Sequence, residues 1–293
     1  MSDENIEADF TRYTILTIFF VGMGVLLYAI NIDLLSLVNQ SVNSFYSTSS
    51  LVFSWRLICL SVGICAIIYM FNCGPGNMRV LMLKNSEEVI YHPDGIEKFI
   101  TFSSWTLLVN VIYFASASLV QTLDYLEISS PHILSQIQVF TFSTGIAIAF
   151  LTATIVRHII LPDEAKLGRK VDHMFLFHEQ VMHNFAAIFL AIELIILRPN
   201  LIPEFAIFGL FLGIIYVVFA YLFAYFGGGY LAYSFIHPKP KIAPFLEIGL
   251  ASVIAIFYTG LWFISALDLI YSIPILGIWI SLIVQFKPTH CLG

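Results

Sequence analysis

Charge is what this sequence has least of. Charged side chains make up 11% of its 293 residues against 59% hydrophobic ones, and the mean hydropathy is +0.90. Soluble domains carry about 25% charged residues, so a water-soluble globular fold is excluded. No polar stretch is long enough to hold a second, soluble domain. Cysteine is scarce too: Cys59, Cys65, Cys73 and Cys291 show no metal-ligand spacing and read as small apolar residues, not as a disulfide framework. Basic residues are outnumbered, with a net charge of −6 and Asp3, Glu4, Glu7 and Asp9 at the start. No nucleic-acid partner is expected. An acidic start also lacks the basic segment of a cleaved secretory signal and the Arg-rich character of a transit peptide, so targeting is expected to be internal.

What the chain has in quantity is long apolar runs, at about 14–34, 51–71, 99–120, 138–160, 175–197, 206–226, 245–266 and 270–286. Their length is that of bilayer-spanning helices, roughly 17–25 residues. The predicted fold class is an all-α integral membrane protein, a polytopic helical bundle of about eight transmembrane helices. Seven is the alternative, because the last run is the shortest. The whole chain, 1–293, reads as one polytopic membrane domain. When the runs are threaded alternately, every Lys and Arg falls on one side except Arg198 and Arg56, the latter inside the second run. The positive-inside rule then predicts both termini on the cytoplasmic or matrix side, in the endoplasmic reticulum or the mitochondrial inner membrane.

The fifth run carries four ionisable residues, His178, Glu179, His183 and Glu193. Each costs roughly 2.5–3.5 kcal/mol at bilayer depth, so each requires a reason. A zinc helix needs histidines four apart on one face. These are five apart, which on an α-helix turns them about 140° from each other. That spacing puts His178 on the far side and removes the zinc reading. Neither a metal nor another cofactor is expected, since only His183 sits at a depth suited to a haem ligand.

Glu179 precedes His183 by four residues, so the two share a face. A carboxylate on one imidazole nitrogen leaves the other free as a general base. The hydroxyl available to it is Thr101, at the start of the third run, which enters from the same side. The same groups also read as hydrogen-bonding links between packed helices. Arg56 and Asn110 are further polar residues inside apolar runs. Glu193 lies about 15 Å along the helix from His183, too far to orient it. It is expected to pair with Arg198 or with a polar group on another helix. Glu247 opens the seventh run, where an acid suits a helix N-terminus. Arg56, Asn110, Glu193 and Glu247 are together expected to contact lipid or a protein partner.

Three short stretches carry a resemblance. Lys98-Phe99-Ile100-Thr101-Phe102, Met182-His183 followed by an apolar run and Glu193, and Pro244-Phe245-Leu246-Glu247 occur in that order within 98–265. They resemble the signatures of the androgen-induced-gene and androgen-dependent TFPI-regulating protein family of multi-pass membrane threonine hydrolases. The resemblance implies a hydrolase of lipid esters, notably fatty acid esters of hydroxy fatty acids, with Thr101 as nucleophile and His183 as its base. It makes 98–265 the family-like core, with additional helices in 1–97 and 266–293. Glu179-Gln180-Val181 stands where the family has Asn-His-Gly. That departure and the additional helices favour an alternative, a catalytically silent accessory subunit of a larger membrane complex. A transporter has little support, since no inverted repeat is visible.

Overall fold

The computed structural model describes residues 9–288. Asp3, Glu4, Glu7 and Cys291 lie outside the described residues. Among those described, seven helices are long and apolar enough to cross a membrane, and the protein is an all-α polytopic bundle. Their elements are α1 (Thr11–Asn31), α3 (Ser50–Asn72), α4 (Phe102–Tyr125), α5 with α6 (His132–Ile155 and Leu161–Lys166), α7 with α8 (Phe177–Gln180 and Ala186–Leu197), α9 (Ala206–Phe223) and α10 (Ala243–Ser265). The short helix α2 (Leu34–Ser41) joins the first two.

The eighth expected span is a 15-residue helix, α11 (Leu269–Ile283). At 1.5 Å per residue it covers about 22 Å, short of the roughly 30 Å apolar core. It nevertheless lies alongside α8 from end to end. Arg198 donates to Leu267 O at 2.7 Å at one end; at the other, Asn184 and Gln285 exchange two hydrogen bonds of 2.8 and 3.0 Å. Extended residues after Ile283 supply the missing length, and Arg157 and His158 bind the carbonyls of Ser281, Val284 and Leu282.

Helix α5 is the centre of the bundle. Ile146 through Phe150 are fully buried, and Gly145 brings α5 close to Leu190 of α8, the small-residue contact expected between helices without a hydrophobic drive. Large apolar side chains such as Phe19, Phe20 and Ile256 face outward. Among the described residues three π-turns interrupt the helices, at Val156–Ile160, Val181–Phe185 and Ala224–Gly228. In the last, a Cβ on Gly228 would collide with the Phe223 ring, and Gly229 ends the helix at φ 71°, a left-handed conformation that glycine adopts without strain.

One end of the bundle carries a small antiparallel sheet. Strand β1 (Met78–Met82) pairs with β2 (Glu88–Tyr91) and with the two-residue β3 (Tyr230–Leu231), in the order β2-β1-β3. Helices α5 and α6 with their π-turn run for 35 residues, about 52 Å, so α6 projects beyond the apolar slab. There Arg79 of β1 reaches Asp163 and Glu164 of α6 and Glu88 of β2, while Arg169 holds Glu164 at 3.0 Å. Burial alone would weaken the charge on Arg79. The Asp163 hydrogen bond and the carboxylates of Glu88 and Glu164 raise its pKa instead.

Candidate functional site

Thr101, at the start of the third run, is the N-cap of α4: it is extended (φ −84°, ψ 145°) and its Oγ1 accepts from Ser104 N. The backbone around it is held on every side. Ser104 Oγ donates to Lys98 O at 2.8 Å, Trp105 Nε1 to Phe99 O at 3.0 Å, and the Tyr216 hydroxyl to Ile100 O at 2.9 Å. On the other flank Phe102 N donates to the Tyr233 hydroxyl at 3.1 Å. Lys98, counted in the sequence as a basic loop residue, is buried. Its ammonium caps the Met70 and Gly74 carbonyls at the end of α3, where a cation offsets the helix dipole. Further back, Glu97 receives the hydroxyls of Tyr91 (3.0 Å) and Tyr230 (3.1 Å), tying this segment to β2 and β3. Carbonyls that would otherwise be orphaned before a helix are each satisfied by a side chain. The result is a rigid seat for one hydroxyl.

His183 lies in the second π-turn and is buried. Its Nδ1 is 3.4 Å from Glu179 Oε2, within ion-pair range but outside hydrogen-bond geometry. His178 Nε2 is 3.3 Å from the other oxygen, Oε1. The expectation that His178 points away is therefore corrected. A π-turn closes at i→i+5 instead of i→i+4, so residues five apart return toward one another and the two imidazoles bracket one carboxylate. Among the described residues no group of three His, Cys, Asp or Glu side chains is arranged to hold a metal ion.

Thr101, Glu179 and His183 line a single cavity of about 850 Å³ at the sheet-bearing end of the bundle. Its mouth is polar, with Arg79, Arg169 and Glu164, and its inner wall is apolar, with Ile155, Met182 and Leu250. Ser103 and Tyr233 also face it, and both were missed in the sequence, where a serine at a helix start and one tyrosine of 14 carry no signal. Burial pushes the Tyr233 hydroxyl above the ordinary phenol range. Since it accepts from Phe102 N, its own proton is available to the cavity. Thr101 Oγ1 is 2.8 Å from Ser104 Oγ. Because Ser104 gives its proton to Lys98 O, the Thr101 proton is directed at Ser104.

The remaining polar residues lie outside this cavity, and each has a partner within the chain. Arg56 Nε meets Glu193 Oε1 at 2.7 Å with both side chains buried. Tyr113 donates to the same oxygen at 2.8 Å, and Arg56 also reaches Phe45 O at 3.0 Å. Glu193 thus pairs across helices and not with Arg198, which caps the Ser265 and Leu267 carbonyls. Asn110 donates to Ala186 O at 3.3 Å. Glu247 is buried and lies 3.1 Å from the Tyr221 hydroxyl. The reason is common to all four: a polar group at bilayer depth lowers its cost by finding a partner inside the bundle.

Compared with protein-family models, with curated proteins and with solved structures, the chain matches none.

Proposed function

We propose that this chain is a membrane-embedded hydrolase of lipid esters in which Thr101 is the nucleophile, His183 its base and Glu179 the group that orients the base. The observation that carries the reading is the shared cavity: Thr101, Glu179 and His183 line one space with a polar mouth and an apolar wall, which suits a ligand with a polar head and a hydrocarbon tail.

With Nδ1 of His183 turned to Glu179, Nε2 is the nitrogen left to take a proton. The Thr101 hydroxyl rotates away from Ser104 and loses its proton to His183. Its Oγ1 then attacks the ester carbonyl carbon, forming a tetrahedral oxyanion. The Tyr233 and Ser103 hydroxyls, at the positive end of α4, are the donors for that charge. The intermediate collapses as His183 returns the proton to the departing alcohol, leaving an acyl-threonine. A water molecule, deprotonated by His183, attacks the acyl carbon, and Thr101 leaves as the free hydroxyl. The substrates in this reading are membrane lipid esters of the kind implied by the resemblance, fatty acid esters of hydroxy fatty acids. The cavity mouth then faces the cytoplasm or matrix, in the endoplasmic reticulum or mitochondrial inner membrane.

An activity-based fluorophosphonate probe tests the assignment: wild type should be labelled and Thr101→Ala should not. Equal labelling of both removes Thr101 as nucleophile. A second reading, the catalytically silent accessory subunit, is favoured by one observation, the pairing of the Thr101 hydroxyl with Ser104. Absence of labelling together with co-purification in a larger membrane complex would select it.

A further inference from the structure

Behind the wall of the cavity lies a second space, of about 100 Å³, between α1, α5, α9 and α10. Ser103, Tyr233, Phe235 and Leu250 line both, so the two share a wall beside Thr101. The rest of the lining is mainly apolar, with Ile18 from α1, Leu210 and Ile214 from α9, and Ala251 and Ile254 from α10. The polar side chains that do border it are engaged within the chain. Tyr216 binds Ile100 O, Thr152 lies 3.2 Å from Thr106, and Glu247 is partnered by Tyr221. Apart from Ser103 and Tyr233 at the shared wall, few polar groups face the space, which favours a hydrocarbon over a sugar, a nucleotide or an ion.

We infer that this space is the subsite for one hydrocarbon chain of a lipid ester, whose carbonyl sits at the Ser103–Tyr233 rim and whose tail lies between α1 and α10. The occupant follows from three features: the mainly apolar lining, the wall shared with a polar head-group cavity, and the position one helix away from the bilayer. Helix α1 forms the outer wall with Ile18, while its Phe19 and Phe20 face outward. A space of about 100 Å³ is small beside a long acyl tail. Longer tails must continue past α1 into the membrane. The fate of the ester rests on the hydrolase reading; occupancy of the space does not.

Two measurements on the purified full chain separate these. A C16 fatty acid carrying a mid-chain diazirine is crosslinked and the adducts mapped, and hydrolysis of p-nitrophenyl acetate and octanoate is followed. Adducts should fall on Ile18, Ala251 or Ile254. Ala251→Trp, which fills the space, should reduce them at least fivefold, and lower kcat/KM for octanoate at least tenfold while acetate stays within twofold. Leu210→Ala, which enlarges the space, should shift preference toward longer chains and decides the matter if Ala251→Trp does not fold. Adducts mapping elsewhere, or labelling unchanged in both variants, overturn the subsite. Loss of labelling in Ala251→Trp with no ester cleaved by wild type keeps the subsite and removes the hydrolase. Cleavage of both esters with no adduct in the space does the reverse.

Discussion

Arg56 and Glu193, 137 positions apart in the chain, meet at 2.7 Å in the interior of the bundle. Tyr113 completes the arrangement from α4, so one carboxylate links three helices. Removing one member leaves the other charge buried and unpaired, which costs about 3–5 kcal/mol, whereas replacing both with apolar groups is often neutral. Glu193→Leu should therefore lower the melting temperature in detergent markedly, and Arg56→Met/Glu193→Leu should recover most of the loss. A double variant as unstable as the single one would show that the pair itself, not its charge balance, supports the fold.

Thr101 has two roles that substitution separates. Thr101→Ala removes both the helix cap, worth about 1 kcal/mol, and the hydroxyl nucleophile. Thr101→Ser keeps both. Probe labelling should vanish in the first and persist in the second, while thermal stability drops only in the first. If labelling vanishes in both variants equally, the threonine methyl, or the seat it fits, is what the site requires.

Tyr233→Phe deletes the acceptor for Phe102 N and the donor proposed for the oxyanion. A lost oxyanion donor costs about 10²–10³ in kcat. The expected result is a fall in kcat of that order with KM little changed. A rise in KM at constant kcat would assign Tyr233 to substrate binding instead.

The Glu97 cluster makes a pH prediction. Hydrogen bonding to Glu97 raises the Tyr91 pKa, and burial raises that of Tyr230, with Glu97 adding to it. A raised folded-state value means that the stabilisation is complete below the ordinary tyrosine value near 10. It is lost as pH climbs from there through the folded-state values. Melting temperature should thus fall as pH rises above about 10, and less steeply in Tyr91→Phe/Tyr230→Phe. Parallel curves for the two proteins would place the alkaline loss elsewhere.

Several features were legible because they depend on neighbours in sequence. Apolar runs mark the helices to within a few residues, and the four-residue step from Glu179 to His183 placed both on one face. Thr101 was legible as the start of its run, and the structure makes it the N-cap of α4. His178 was misplaced because the rotation per residue assumed for an α-helix fails in a π-turn. The strands were hidden for another reason: β3 is two residues long and gains its identity only from β1, far earlier in the chain.

The sequence by itself determined that this protein lives in a membrane, because burying apolar side chains and satisfying backbone polar groups in lipid leave helices as the economical solution. It also determined which residues are too polar to be there without cause. Only the tertiary structure decided what each of them meets. Partner choice depends on helix rotation, depth and neighbour order, none of which local periodicity encodes. So of the two partners open to Glu193 it found a polar group on another helix, Arg56, and Thr101 and His183 came to line one cavity.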